Sequence, residues 1–180
     1  MARVLIAYGT NEGQTARIAE HIAGVARGRG HEAEVVDIGG LPDGSRPEGY
    51  DAVIVGAPIH MGEHEDYVRD FVRKNRQLLE RVPSAFFSVS LTAREHTEKA
   101  RAQTKGYVEK FVEETDWHPD RVGIFAGALL YRQYGFVKRH LMRRISKQMG
   151  NQDTDTSRDY EYTDWDDVGH FAEEFLEDVG

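Results

Sequence analysis

The chain has 180 residues and no cysteine, which excludes disulfides, thiolate metal sites, iron–sulfur clusters and cysteine nucleophiles. Any redox chemistry therefore has to come from a bound cofactor. The formal net charge of -8 argues against nucleic acid as a partner, and no apolar run approaches the roughly 20 residues that span a bilayer. These properties predict a single cytoplasmic domain, with at most a peripheral place on the inner face of the cell membrane.

Strand-length apolar runs alternate with segments of helical period, which predicts βα units and a parallel sheet. The predicted strands cover residues 3–8, 32–37, 52–57, 85–90 and 121–126, and the predicted helices cover about 14–27, 66–79, 99–114 and 164–178. Because right-handed crossovers leave few alternatives, the fold class is α/β, a doubly wound five-stranded parallel sheet with helices on both faces. Residues 128–162 form a long helical insert before the last helix, where about two to six residues would connect the elements.

The first loop, GTNEGQT at residues 9–15, lies between the first strand and the first helix. Small and hydroxyl residues at a helix N-terminus suit a single phosphate, and the loop has neither a dinucleotide fingerprint nor the lysine of a triphosphate loop. The alternative is a plain helix start with Asn11 and Gln14 at capping-box spacing, and Glu12 disfavours an anion unless its side chain points away. The candidate phosphate residues are Thr10, Asn11, Glu12, Gly13, Gln14 and Thr15.

The second loop, GAPIHMGEH at residues 56–64, follows the third strand. Its Pro58, Ile59 and His60 can lie against a flat ring at the carboxyl edge of the sheet, where doubly wound folds bind ligands. Alternatively, His60 and His64 are surface histidines. Their spacing does not resemble a metal site, so we expect no metal.

The third loop, SVSLTAR at residues 88–94, follows the fourth strand. Hydroxyls and open backbone amides suit the pyrimidine edge of a flavin, and Arg94 can stabilise negative charge near the flavin N1–C2 carbonyl. The alternative is a solvated loop. The candidate ring contacts here are Ser88, Val89, Ser90, Leu91, Thr92 and Arg94.

Four stretches resemble the menaquinone-dependent protoporphyrinogen IX dehydrogenases, which are long-chain relatives of flavodoxin. They are GTNEGQT (9–15), PSAFFSVSLTAR (83–94), WHPDRVGIFAGALLY (117–131) and TDTSRDYEYTDW (154–165). The resemblance implies a flavodoxin-like fold that binds FMN, with the phosphate at residues 10–14 and the ring between residues 88–94 and Tyr131 onward. It also implies six-electron oxidation of protoporphyrinogen IX to protoporphyrin IX, with electrons passed to a membrane quinone. One departure is that His60 and Met61 stand without the Tyr or Trp that flavodoxins often stack on the ring.

The insert is the basic part of the chain, with six Lys or Arg residues and no Asp or Glu between Leu130 and Gln152. Apolar side chains recur every four residues at Val137, Leu141, Ile145 and Met149, which predicts an amphipathic helix. Its apolar stripe packs on the domain or on a second subunit of a homo-oligomer, or its cationic face meets anionic lipid headgroups or substrate propionates. The candidate substrate or membrane contacts are Arg132, Tyr134, Phe136, Lys138, Arg139, Arg143 and Arg144.

Three functions are compatible with these features. A tetrapyrrole-oxidising flavoenzyme explains both the three loops and the aromatic, basic insert. A flavodoxin-type electron-transfer protein explains the loops but not the insert, and a cofactor-free interaction module explains neither. No acid–base pair or catalytic triad stands out, and flavin chemistry requires none, so the candidate residues are binding residues.

Overall fold

The computed structural model describes residues 1–42, 45–148, 150 and 153–180. The elements follow the predicted order, with a short hairpin and a two-stranded ribbon added. In chain order they are β1 (Arg3–Tyr8), α1 (Gln14–Gly28), β2 (Glu32–Asp37), β3 (Ala52–His60), β4 (Glu63–His64), α2 (Asp66–Arg81), β5 (Ser84–Ser90), α3 (Glu98–Thr115), β6 (Arg121–Ala126), β7 (Ala128–Leu129), α4 (Phe136–Gln148), β8 (Tyr160–Glu161) and α5 (Trp165–Glu177).

The main sheet has the strand order β2-β1-β3-β5-β6, and all four pairings along it are parallel. The order reverses between β1 and β3, so the carboxyl ends of these strands flank the crevice in which doubly wound sheets bind ligands. The predicted five-stranded parallel sheet is confirmed. The crevice is the edge at which the three candidate loops meet.

The two faces of the sheet bury separate hydrophobic clusters, because successive strand residues point to opposite sides. One cluster joins residues such as Ile6 and Phe87 to α1 and α5, and the other joins residues such as Val55 and Phe86 to α2 and α3. The helices therefore cover both faces, as the alternating pattern predicts. Gly56 allows the close packing of β3 on β5, since a Cβ there would lie 2.0 Å from the Cζ of Phe87.

The third strand is longer than predicted, and this changes the second loop. β3 runs on to His60 and pairs antiparallel with β4, so residues predicted to form an exposed loop form a hairpin. Met61 and Gly62 occupy its turn with φ angles of 50° and 81°, a left-handed pair that matches the twist of two-residue hairpins. The sequence pattern did not predict the hairpin, because a proline such as Pro58 within a strand argues against its continuation.

The insert has a small core of its own. β7 and β8 pair antiparallel at its two ends, and the predicted helix is observed as α4. The insert contains a third hydrophobic cluster, against which Leu91 of the third loop packs. The buried residues of this cluster are Ala128, Leu129, Leu130, Tyr131 and Tyr134. The insert is therefore joined to the carboxyl edge of the sheet. Met149, the last residue of the predicted apolar stripe, lies outside the described residues.

Candidate functional site

Backbone amides at the start of the first loop donate hydrogen bonds to neighbouring elements. The amide of Gly9 donates to the carbonyl of Gly56 on β3 at 2.9 Å, and the amide of Thr10 donates to the hydroxyl of Tyr67 at 3.1 Å. Gly13 then adopts a φ of 98°, which few residues other than glycine tolerate, and turns the chain into α1. The Oγ1 of Thr10 accepts a hydrogen bond from the Gly13 amide at 2.9 Å. The loop therefore curls around the N-terminus of α1.

Four amides of this loop are available to a ligand. The backbone N–H groups of Asn11, Glu12, Gln14 and Thr15 donate to no acceptor within the described part of the chain. The first amides of a helix have no partner within it, and their dipoles favour an anion. Thr15 is buried and lies on the first turn of α1. This arrangement fits the phosphate of a flavin nucleotide.

The capping-box alternative is not realised. The structure places Gly13 at the N-cap position, where no side chain caps the helix. Asn11 instead donates through Nδ2 to Glu65 at 2.9 Å, and Gln14 donates through Nε2 to Glu161 and Thr163 at 3.0 and 2.9 Å. Both side chains tie the loop to other elements. The capping box does not form because both side chains make tertiary contacts instead, with partners far away in the sequence.

Glu12 does point away from the centre of its loop, as an anion site requires. Its carboxylate accepts a hydrogen bond from the hydroxyl of Tyr134 at 2.7 Å and forms an ion pair with Lys138 at 2.9 Å. Burial, followed by this hydrogen bond, raises the pKa of the Tyr134 phenol, so that it keeps its proton and donates it. Two residues of the insert thus reach the first loop.

The second loop separates its two histidines. His60 is exposed on the hairpin, and Met61 at the tip is 90 % exposed, so the hairpin presents Pro58, Ile59 and His60 at the sheet edge. The alternative that His64 is a surface residue is wrong. His64 is buried, because the return strand β4 turns its side chain under the sheet.

The third loop divides at the end of β5. Ser88 and Val89 are buried within the layers: the hydroxyl of Ser88 shares a hydrogen bond with His64, and Val89 packs in the cluster beneath α1 and α5. From Ser90 onward the chain reaches the edge, where the Ser90 hydroxyl accepts from the Ala93 amide at 3.3 Å. The side chains of Ser88 and Val89 therefore contact other parts of the domain, and Ser90, which is also buried, is the first residue of this loop at the sheet edge.

Arg94 is more constrained than a surface arginine. Its guanidinium lies 5.6 Å from the ring centre of Tyr162, donates to the carbonyl of Leu91 at 3.2 Å and pairs with Glu95 at 3.7 Å. The side chain is only 11 % exposed, so the solvated alternative does not describe it. Arg94 is thus a preorganised cation at the end of the third loop, next to the returning end of the insert.

Tyr131, predicted from the resemblance to lie near the flavin ring, and Arg139, a candidate substrate contact, both form hydrogen bonds within the insert. Tyr131 is fully buried and donates its hydroxyl proton to the carbonyl of Asp153 at 2.9 Å. Arg139 donates to the carbonyls of Tyr131 and Tyr134 at 3.0 and 3.2 Å. With Tyr134 and Lys138 held by Glu12, the exposed candidates that remain are Arg132, Phe136, Arg143 and Arg144.

The apolar stripe of α4 faces outward. The exposed fractions of Phe136, Val137, Leu141 and Ile145 are 75, 79, 54 and 37 %, whereas Ser146 lies on the inward side. The stripe therefore does not pack on the described part of its own chain, which excludes one of the alternatives from the sequence. No described helix is both long and apolar enough to cross a bilayer.

Five residues around the site were not assigned from the sequence. Tyr67 and Glu65 lie at the start of α2 and bind Thr10 and Asn11. Glu161, Tyr162 and Thr163 lie where the insert returns, and they bind Gln14 or stack under Arg94. The stretch YEYT at residues 160–163 carried part of the family resemblance, and that was the available signal for these positions.

Comparison with known proteins shows the family of this chain. The family described as "Flavodoxin domain" matches residues 5–157. The protoporphyrinogen IX dehydrogenase [quinone] of Escherichia coli K12 is 38 % identical over 172 residues, which covers 96 % of this chain and 93 % of that protein. The protein of the same name from Leishmania major is 38 % identical over 176 residues, with coverage of 96 % and 74 %.

A solved structure supports the fold independently of close sequence similarity. Oxidised flavodoxin 1 from Bacillus cereus superimposes with a TM-score of 0.52 at 19 % identity and covers 98 % of each chain. The family match and the crevice together indicate a flavin cofactor for this chain.

Proposed function

Because this chain belongs to the flavodoxin-like family of quinone-dependent protoporphyrinogen IX dehydrogenases, we propose that it oxidises protoporphyrinogen IX to protoporphyrin IX and passes the electrons to a quinone. The substrate gives up six electrons and six protons in three two-electron oxidations, and three quinones are reduced to three quinols. The observation that carries this proposal is the insert, which extends a flavin-binding fold at the edge where the ring would lie. An electron carrier needs no such addition.

We propose FMN as the flavin, because the first loop has amide donors suited to a single phosphate and no pyrophosphate fingerprint follows it. The amides and hydroxyls of the Thr10–Thr15 loop would hold the phosphate, and Ser90 to Arg94 would meet the ring. When bound, FMN supplies the electron acceptance and donation that the side chains lack. Acid denaturation of the purified protein should release FMN, and release of FAD would contradict this assignment.

The chain's own residues bind and orient in this proposal. Arg94 is fixed beside Tyr162 and can stabilise negative charge near the pyrimidine end of the ring without reorganising. Phe136 and the exposed cations Arg132, Arg143 and Arg144 offer a flat apolar contact and partners for propionates. The substrate has both kinds of group, an apolar tetrapyrrole and two carboxylates.

We also propose that the protein is cytoplasmic and that α4 brings it to the inner face of the membrane, where the quinone is dissolved. The exposed stripe at Val137, Leu141 and Ile145 is flanked by the cations Arg143 and Arg144. A helix with an apolar face and basic flanks lies in the headgroup region of an anionic bilayer, and each basic residue contributes about 1 kcal/mol near such a surface. Charge complementarity therefore favours an anionic lipid surface as the partner of this face.

The proposed activity is tested by anaerobic incubation of the purified protein with protoporphyrinogen IX and a menaquinone analogue. Porphyrin fluorescence should rise only when protein, flavin and quinone are all present. Free FMN with quinone controls for reaction outside the protein. If the flavin-loaded protein gives no quinone-dependent fluorescence, the enzymatic function is wrong and an electron-transfer role takes its place.

A further inference from the structure

The insert and the first loop meet through one carboxylate. Glu12 lies between Thr10 and Gly13, and its side chain binds two residues more than 120 positions further along the chain. One carboxylate oxygen accepts from the Tyr134 hydroxyl, and the other lies 2.9 Å from the Nζ of Lys138. Lys138 belongs to the first turns of α4, so the helix is tied directly to the loop.

The position of Glu12 is electrostatically unusual for a phosphate loop. The loop amides are oriented for an anion, and an unpaired carboxylate beside them would repel a phosphate group. The ammonium of Lys138 cancels this charge and so removes the repulsion. Lys138 also lies 4.8 Å from the ring centre of Tyr134, so its position is supported from two sides. The first loop is therefore a better anion site when the insert is docked than it would be without the contact to Lys138.

The same contact positions the insert. Tyr134 belongs to the insert's small core, and its ring packs perpendicular to that of Tyr131. A shift of the first loop would therefore move the insert core and the start of α4 together. The insert's returning end is held separately, through the bond from Gln14 to Glu161 and the ion pair from Arg17 to Glu161 at 2.7 Å.

We propose that Glu12, Tyr134 and Lys138 form a latch through which a phosphate in the first loop and the docked insert stabilise each other. This rests on the proposed function in taking the first loop as the flavin phosphate site. Coupling between two sites is reciprocal, so an insert that raises phosphate affinity must itself be held more firmly when phosphate is bound. Glu12, Tyr134 and Lys138 are positioning residues, since they act through the loop and the insert.

The binding test compares K138M with K147M, which removes an equal charge from the exposed far end of the same helix. We expect K138M to weaken FMN binding about twofold to fivefold, the range of an exposed ion pair, and to leave riboflavin binding unchanged because riboflavin has no phosphate. K147M should bind both ligands like the parent. Equal losses in the two variants, or an equal loss of FMN and riboflavin, would overturn the latch.

The reciprocal test needs no flavin. Hydrogen exchange of the α4 amides is followed in the apoprotein with inorganic phosphate, against chloride at equal ionic strength. Phosphate should slow exchange in the parent and in K147M but not in K138M. If phosphate slows exchange of the α4 amides equally in all three proteins, the latch is contradicted even if FMN binds. If phosphate slows exchange in the expected variants but FMN does not bind, the latch stands and the proposed cofactor is wrong.

Discussion

The Nε2 of His64 lies 2.8 Å from the Oγ of Ser88, and both side chains are buried beneath the sheet. The rings of Phe86 and Phe111 pack edge-on against the imidazole. Burial, with a smaller contribution from the positive charge of Arg69, lowers the pKa of His64 from 6.5 to about 3. The imidazole is therefore neutral in the folded protein throughout the physiological range.

This pair predicts a pH dependence of stability. Below pH 6.5 the unfolded chain takes up a proton at His64 that the folded chain does not, so stability is lost as the pH falls toward 3. Between pH 6.5 and 5, before carboxylates titrate, the free energy of unfolding should fall by up to about 1.4 kcal/mol per pH unit more in the parent than in H64Q. Urea unfolding of both proteins at several pH values measures this difference in the free energy of unfolding. Parallel pH profiles for the two proteins would contradict the buried neutral imidazole.

The turn into α1 depends on the conformation of Gly13. G13A should lower the free energy of unfolding by about 1 kcal/mol or more, because φ is 98° and a Cβ there meets no other atom within 4 Å, so that only backbone strain changes. G24A is the matched control in the interior of the same helix, and it should raise stability by about 0.5–1 kcal/mol. Thermal unfolding compares them. A neutral or stabilising G13A would show that the loop does not need the left-handed turn.

The hydroxyls of the first loop should contribute to FMN affinity. Thr10 accepts a hydrogen bond from the Gly13 amide through its oxygen, which leaves its proton for a phosphate. Hydrogen bonds to charged groups are worth about 1.5–3 kcal/mol, so T10V and T15V should each weaken FMN binding about tenfold or more. T115V, which removes a buried hydroxyl on α3, is the control. Fluorescence titration measures the affinity. If the T10V/T15V double variant binds FMN as tightly as the parent, the loop is a plain helix start and not a phosphate site.

The outward face of α4 should direct binding to anionic vesicles. Replacing Val137 and Leu141 by serine should reduce cosedimentation, because their exposed apolar side chains enter the headgroup region. R143Q/R144Q should also reduce it, and added salt should weaken the parent by screening. V122S/I124S, which alters exposed apolar residues on β6, should sediment like the parent. If the parent does not cosediment with anionic vesicles, or if every variant loses cosedimentation equally, the lipid surface is excluded as the partner of this face.

The sequence by itself determined the five parallel strands, their order of connections and the loop that opens α1. Each of these rests on local patterns: continuous apolar runs for buried strands, a 3.6-residue period for helices, and small residues at a helix start. Alternation between the two patterns left few topologies. The resemblance to a flavin-binding family rested on four contiguous stretches of the sequence, so it too could be read without the structure.

Tertiary structure decided how polar side chains were used. Glu12 pairs with Lys138, Gln14 with Thr163 and His64 with Ser88, and no local pattern predicts partners so far apart in the chain. The extension of β3 to His60 also required a partner, because β4 supplies the hydrogen bonds that continue it past Pro58.

The helix α4 shows the same division within one element. Its period of four residues predicted an amphipathic helix, and the structure contains one. Periodicity reports that two faces differ but not which face is covered, since coverage depends on what packs against it. The fold places Tyr134 and Lys138 on the first loop and leaves Val137 and Leu141 exposed, so the outward apolar face is a property of the folded chain alone.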